Sequence, residues 1–135
     1  MSDRALFHRN VADIEAAPVR PDQGWVDLDI SFVTRAVSGF GDVCLFRATF
    51  APGAAHRRHI HANAVEFFYI IRGRGMSGFG DDEHRVSAGD IEMVDRGNVH
   101  WLRNDSADEP IEVLGGYLGV GSLEEAGYEP VSATH

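Results

Sequence analysis

The feature that most constrains the fold is a series of short apolar runs separated by turn-forming residues. Trp25–Phe32 alternates apolar and polar residues, as a strand with one buried face does. The later runs are 43–50, 56–61, 65–72, 76–79, 84–86, 90–94, 99–103 and 110–119. The residues between them are rich in glycine, asparagine and aspartate, which suit tight turns. The pattern predicts an all-β sandwich or barrel.

The two ends of the chain lack the strand pattern of this central region. Residues 1–24 contain two prolines and little periodicity, so we expect an N-terminal arm before a barrel over 25–121. In the last segment, 122–135, Ser122 and Glu125 form a capping-box pattern and Gly127 supplies a stop. A short C-terminal helix is therefore predicted, and 135 residues suit a single core.

Charge and composition exclude several classes of function. The formal net charge of -9 repels phosphate backbones and anionic lipids, so we expect neither nucleic acid nor membrane as a partner. All 12 basic residues are arginines, which rules out a lysine Schiff base. The single cysteine, Cys44, lies in an apolar run, and the N-terminus lacks the apolar segment of a secretory signal. These features favour a cytoplasmic protein.

Three residues between positions 59 and 66 can converge on one point. His59 and His61 are two apart, so on a strand both imidazoles leave the same face. Glu66 would lie on the opposite face of an unbroken strand, since the step from His61 is odd. A turn at 62–64, around Asn63, would return Glu66 to the two histidines.

His100 begins another strand after a turn and is the natural fourth ligand. Three imidazoles and one carboxylate suit Fe, Mn, Ni, Co, Cu or Zn better than Ca or Mg, which prefer oxygen ligands. Four protein ligands leave two positions of an octahedral ion for substrate or dioxygen. We therefore expect one divalent transition metal at a catalytic site.

These residues closely resemble the two motifs of the cupin superfamily. The first, G-x5-H-x-H-x4-E-x6-G, is matched at Gly53, His59, His61, Glu66 and Gly73. The second, G-x5-P-x-G-x2-H-x3-N, is matched at Gly89, Gly97, His100 and Asn104, with Asp95 where proline is usual. The resemblance implies a double-stranded β-helix, or jelly-roll, barrel, usually a homodimer, with the metal near one mouth. It implies no single reaction, because cupins catalyse many.

Other side chains near the motifs are candidates for binding or proton transfer. His56, Tyr69 and Glu92 are possible proton carriers, although His56 is also explained as an ordinary polar residue of the loop. Phe68, Ile70 and Leu102 are expected to line an apolar substrate pocket. Arg47 can hold a substrate carboxylate if it faces inward, and an outward, solvated position is an equal alternative.

Three functions follow for such a site. The first is an oxidoreductase, a dioxygenase that uses Fe(II) or Mn to oxidise a small organic molecule. The second is a non-oxidative isomerase, lyase or cyclase in which the metal polarises a carbonyl and a side chain moves a proton. The third is a binding or sensing module without catalysis.

Overall fold

The computed structural model describes residues 8–33 and 40–132, so the predictions on 1–7 and 133–135 lie outside the described residues. Two short 3-10 helices, Val11–Asp13 and Pro21–Gln23, precede the sheet. The strands are β1 Trp25–Phe32, β2 Val43–Ile60, β3 Val65–Arg72, β4 Arg74–Phe79, β5 Asp82–Ser87, β6 Ile91–Val94, β7 His100–Arg103, β8 Ile111–Leu118 and β9 Glu129–Pro130. The helix α1, Leu123–Ala126, lies between β8 and β9.

The strands form one curled antiparallel sheet, which confirms the predicted all-β jelly roll. Its order is β5-β4-β7-β2-β8-β3-β6, and β1 and β9 pair with β2 outside this path. Buried apolar side chains on the inner face, including Leu28, Ile70 and Val113, fill the core. None of the helices within 8–33 and 40–132 is long and apolar enough to cross a membrane.

Strand β2 is the longest element, with 18 residues, and it corrects the prediction of two separate strands. The expected turn at Pro52-Gly53 is instead a bend within one strand, where Gly53 has a φ of 81°. In the pairing with β1, Val26 lies opposite Ala55 and Leu28 lies opposite Phe50. The residues of β2 between Phe50 and Ala55 therefore all lie opposite Asp27. Such a bulge bends a strand without ending it.

The C-terminal helix forms as its capping residues predict. The Ser122 hydroxyl accepts a hydrogen bond of 3.1 Å from the Glu125 backbone N–H. The helix ends at Gly127, where φ is 80°. Leu123 and Ala126 are buried against the sheet, so this short helix is fixed beside the end of β2.

Candidate metal centre

The four side chains that the sequence predicts as metal ligands lie together in the structure. His59 lies near the end of β2, opposite His100 in the pairing with β7. His61 follows the end of β2, and Glu66 enters on β3 after the predicted break at 62–64. All four are buried, and one ligand atom from each lies within 4.8 Å of the others. The cluster can therefore hold a metal ion.

Backbone carbonyls orient the three imidazole rings of the cluster. Each Nδ1 hydrogen-bonds to a carbonyl oxygen, which fixes the tautomer with Nδ1 protonated and directs Nε2 inward. The pairs are His59 with Arg57 at 2.5 Å, His61 with Gly127 at 2.6 Å and His100 with Asn98 at 3.0 Å. The ring orientation is thus set by the protein before any ion arrives.

The inward-facing nitrogens show that a metal fits this cluster. Nε2 of His59 and Nε2 of His61 are buried and have no hydrogen-bond partner among the described residues. Buried polar atoms normally have partners, since leaving one unpaired is costly. The His100 Nε2 contacts Glu66 Oε1 at 2.8 Å, and His61 Nε2 lies 3.5 Å from the same oxygen. An ion between these atoms would satisfy all of them.

Protonation in the metal-free cluster follows from burial and from Glu66. Burial, reinforced by the neighbouring histidines, holds the pKa of His59 well below its ordinary value. Burial also opposes charge on His100 and on Glu66, but their hydrogen bond and mutual attraction outweigh it. The pKa of His100 is therefore raised and that of Glu66 is lowered. The carboxylate is ionised and ready to bind a cation.

The turn before β7 forms although Asp95 stands where the cupin motif usually has proline. The Asp95 carboxylate accepts a hydrogen bond of 2.8 Å from the Arg96 backbone N–H. Gly97 has a φ of 76°, and its N–H donates to the His61 carbonyl at 3.0 Å. The turn therefore connects the segment that carries His61 to the segment that carries His100. Hydrogen bonds stabilise this turn, as a proline ring usually does in the cupin motif.

His56 lies beside the cluster and not in an outer loop. Its ring stacks on His59 with a centroid distance of 3.8 Å and an interplanar angle of 16°. Burial lowers the pKa of His56 to about 3, so the ring is neutral. Its Nε2 is buried and has no hydrogen-bond partner among the described residues. His56 can therefore offer a lone pair to a bound molecule.

Two tyrosines complete the surroundings of the ligands, and the sequence did not identify either. Tyr117 on β8 packs edge-on against His61 at 4.8 Å and is buried. Tyr128, just after α1, stacks against His59 at 5.5 Å. The buried strand pattern of β8 could have indicated Tyr117, but Tyr128 lies in a tail with no periodicity. Both rings shield the cluster from water.

A small apolar chamber adjoins the ligands inside the barrel and has a volume of about 30 Å³. Phe68 and Leu102, two of the predicted pocket residues, line it. Ile70 is fully buried in the core and is not among the residues that line the chamber. The remaining wall is Ile30, Phe46, Ala48, Phe50, His56, Trp101, Val113 and Tyr117, together with the ligands His59, Glu66 and His100.

Two other predicted site residues, Tyr69 and Arg47, lie away from the ligand cluster. Tyr69 is 41% exposed on the outer face of β3, because it alternates with the inward Phe68. Arg47 also faces outward, between the buried Phe46 and Ala48, and it is half-buried. Its guanidinium forms a 2.7 Å ion pair with Glu112 on β8. Tyr69 and Arg47 are therefore absent from the chamber.

Two surface clefts adjoin the chamber from different sides. The first, about 770 Å³, shares His56 and Trp101 with the chamber and includes Arg57 and Tyr128. The second, about 520 Å³, shares Phe68 and His100 with the chamber. Glu92, the remaining predicted proton carrier, lies in the second cleft. Each cleft therefore shares part of its wall with the chamber.

Comparison with known proteins matches both the fold and the motif region. A germin-like protein of Arabidopsis thaliana, subfamily 3 member 2, is 31% identical over 106 residues, which cover 73% of this chain. Germin-like protein 5-1 of Oryza sativa subsp. japonica is 29% identical over 80 residues. These matches span only 40% and 36% of the lengths of those relatives.

Solved structures with the same fold are more distant in sequence. A protein described as a predicted oxalate decarboxylase from Thermotoga maritima has a TM-score of 0.76 at 18% identity, covering 84% of this chain and all of that one. The polyketide cyclase RemF from Streptomyces resistomycificus also has a TM-score of 0.76, at 16% identity, covering 96% of this chain and 86% of that one. An oxalate oxidase structure has a TM-score of 0.70 at 19% identity, covering 93% and 63%.

The family assignment rests on the part of the chain that holds the ligands. The cupin domain model matches residues 46–116, more than half of the 135 residues. This range runs from within β2 to within β8 and includes all four clustered side chains. With the jelly-roll sheet and the buried cluster of three histidines and one glutamate, this match shows that the chain belongs to the cupin family.

Proposed function

We propose that this protein is a metal-dependent oxidoreductase, a dioxygenase of the Fe(II) or Mn type, acting on a small organic molecule. The observation that carries the proposal is the pair of buried Nε2 atoms of His59 and His61, which have no partner in the described part of the chain and lie beside an apolar chamber. Ligands of this mixed kind suit redox-active transition metals. Germin-like relatives and an oxalate oxidase fold neighbour are consistent with this chemistry but do not define the substrate.

The ligands, the carbonyls bonded to them, the chamber wall and His56 each have a different role in this proposal. His59, His61, Glu66 and His100 would hold the ion, which supplies the redox chemistry that protein side chains lack. The carbonyls bonded to each Nδ1 keep the rings fixed, and the apolar chamber wall excludes water. The Nε2 of His56, which has no partner among the described residues, can accept a hydrogen bond from a part of the substrate that enters the chamber.

The same observation about His56 favours a second candidate, a non-oxidative isomerase, lyase or cyclase. The His56 Nε2, buried beside the cluster and without a partner among the described residues, lies where it can contact a group that exchanges a proton. The metal would then act as a Lewis acid and no dioxygen would be consumed. The two candidates therefore differ in their requirement for oxygen.

Metal reconstitution tests the proposal directly. Protein without a histidine tag is stripped with a chelator, loaded with Fe(II), Mn(II) or Zn(II), and assayed for oxygen consumption with phenols, diketones and thiols. We expect one ion per chain, oxygen uptake with Fe(II) or Mn(II), and no uptake with Zn(II). A His59→Ala/His61→Ala variant should bind no ion, whereas the control His84→Ala should bind one.

The outcomes separate the candidates. Turnover of a substrate under strict anaerobic conditions would replace the dioxygenase by the non-oxidative enzyme. A metabolite that co-purifies intact with the metal-loaded protein, with no turnover in either atmosphere, would indicate a binding module. Retention of the ion by the double variant would overturn the ligand assignment itself.

A further inference from the structure

The chamber beside the ligands is too small for a whole organic substrate. Its volume of about 30 Å³ is roughly a tenth of the low end of the ~300–1,000 Å³ range of small-molecule pockets. A substituent of a substrate can enter it, but the body of the molecule must remain in one of the two adjoining clefts. The chemistry of those clefts therefore decides which substrates are accepted.

The second cleft, the one that shares Phe68 and His100 with the chamber, leads to a ligand of the cluster. It has a mixed apolar and acidic lining. Phe79 lines this cleft and is 50% exposed, so a flat apolar group can cover it. Asp82 and Glu92 add two carboxylates, and no arginine lines this cleft among the described residues. An anionic molecule would meet like charge, and a cation would be attracted.

Glu92 is held in a fixed position in this cleft. Its Oε1 accepts a hydrogen bond from the Ser77 hydroxyl at 2.5 Å, and its Oε2 is bonded to the His84 ring. Ser77 is only 3% exposed, and the Glu92 side chain is 23% exposed. Each carboxylate oxygen still has a lone pair available. A donor group that enters the cleft would therefore find an acceptor already oriented by the protein.

The first cleft differs in its charges. Arg57, Arg58 and Arg103 line it together with Asp22, Asp81 and Glu83. Glu83 is bonded to Arg103, and Arg58 stacks over the Trp101 ring at 4.3 Å. The Arg57 side chain is exposed on this cleft. If the substrate were a carboxylate, this cleft would be the side that receives it.

We propose that the second cleft is the substrate site and that it selects a flat, apolar molecule carrying a hydroxyl or amino donor, neutral or cationic, over carboxylates. This inference rests on the proposed function for its reaction, but the selectivity follows from the cleft alone. Asp82 and Glu92 provide the charge preference, and Phe68 and Phe79 provide apolar contact. This proposal therefore predicts that dicarboxylates such as oxalate bind poorly in the second cleft.

Three phenols of similar size, whose side chains differ in charge, test the selectivity. Tyramine is a cation, 4-hydroxyphenethyl alcohol is neutral and 4-hydroxyphenylacetate is an anion. Their binding is measured by isothermal titration calorimetry to the metal-free and the Zn(II)-loaded protein, with oxalate as a fourth probe. We expect tyramine to bind about tenfold more tightly than 4-hydroxyphenylacetate, a difference of about 1.4 kcal/mol. The metal-free measurement excludes direct metal binding as the cause.

Two matched variants assign the preference to one cleft. Glu92→Gln removes the charge but keeps the size of the side chain, and it should reduce the preference for tyramine to about twofold or less. Arg57→Gln changes the first cleft and should leave all affinities within about twofold, because Arg57 is not in the second cleft. Unchanged thermal unfolding temperatures would show that both variants are folded.

Each result bears on one claim. Tighter binding of 4-hydroxyphenylacetate or oxalate, lost in Arg57→Gln, would overturn the inference in favour of the first cleft. Absence of binding by all the phenols would also overturn it. If tyramine binds as expected and Glu92→Gln weakens it, but Fe(II)-loaded protein consumes no oxygen, then the site assignment stands and the dioxygenase proposal fails.

Discussion

Replacement of His61 by leucine tests whether this residue serves a metal or the fold. In the metal-free protein the buried His61 Nε2, which no described residue hydrogen-bonds, carries a desolvation cost of about 1–3 kcal/mol. His61→Leu removes that cost, but it also removes the hydrogen bond to the Gly127 carbonyl, worth about 1 kcal/mol. The two changes nearly offset. We expect the free energy of unfolding in EDTA to stay within about 1 kcal/mol of the parent protein.

The same substitution should have a large effect when metal is present. An ion that binds only the folded protein stabilises it by about 2.7 kcal/mol at a concentration of 100 times Kd. His61→Leu should lose most of this gain, and the control His84→Gln should keep it. Urea denaturation with EDTA and with Mn(II) measures both quantities. A loss of about 3 kcal/mol already in EDTA, or equal stabilisation of the variant by Mn(II), would refute the reasoning.

Three further substitutions test residues that surround the site but are not among the four predicted metal ligands. Arg103 hydrogen-bonds to Glu83 and lowers its pKa to about 2, so the resulting stability is present above the ordinary carboxyl pKa and lost as pH falls toward 2. Glu83→Gln, at a partly exposed pair, should cost about 1 kcal/mol at pH 7 and nothing at pH 2 in urea titrations. Asn104→Ala removes a buried amide that donates to three backbone carbonyls, and should cost about 3 kcal/mol with metal affinity unchanged by calorimetry. Gly78→Ala would put a Cβ within 1.8 Å of the Trp101 ring, so we expect a shifted tryptophan emission spectrum and a loss of about 1–3 kcal/mol.

The ligand cluster could be predicted because its geometry depends on local rules. A spacing of two puts His59 and His61 on one face of a strand, and an asparagine-containing turn returns Glu66. His100 required the motif, since nothing in local periodicity joins positions 61 and 100. The structure supplies that link through the Gly97 N–H bonded to the His61 carbonyl.

The sequence could not predict features that depend on non-local packing. Pro52-Gly53 has the composition of a turn, but pairing with β1 on both sides of it and with β7 beyond it continues the strand. The alternating pattern did not show on which face of the strand Arg47 lies. The burial of its neighbours in the structure shows it. Tyr128 reaches His59 only because α1 ends where it does. Such contacts join distant parts of the chain and have no sequence period.

The bent strand β2 has a consequence for how this scaffold can diversify. It pairs with β1, β7, β8 and β9, and it carries His59 near its end. A register slip of one residue would break pairing with all four neighbours and would turn His59 outward. Strand pairing therefore fixes the positions of the ligands. The two clefts are lined largely by other segments, including β5 and β6. Mutation can therefore remodel what the protein recognises while the coordinating atoms remain where they are.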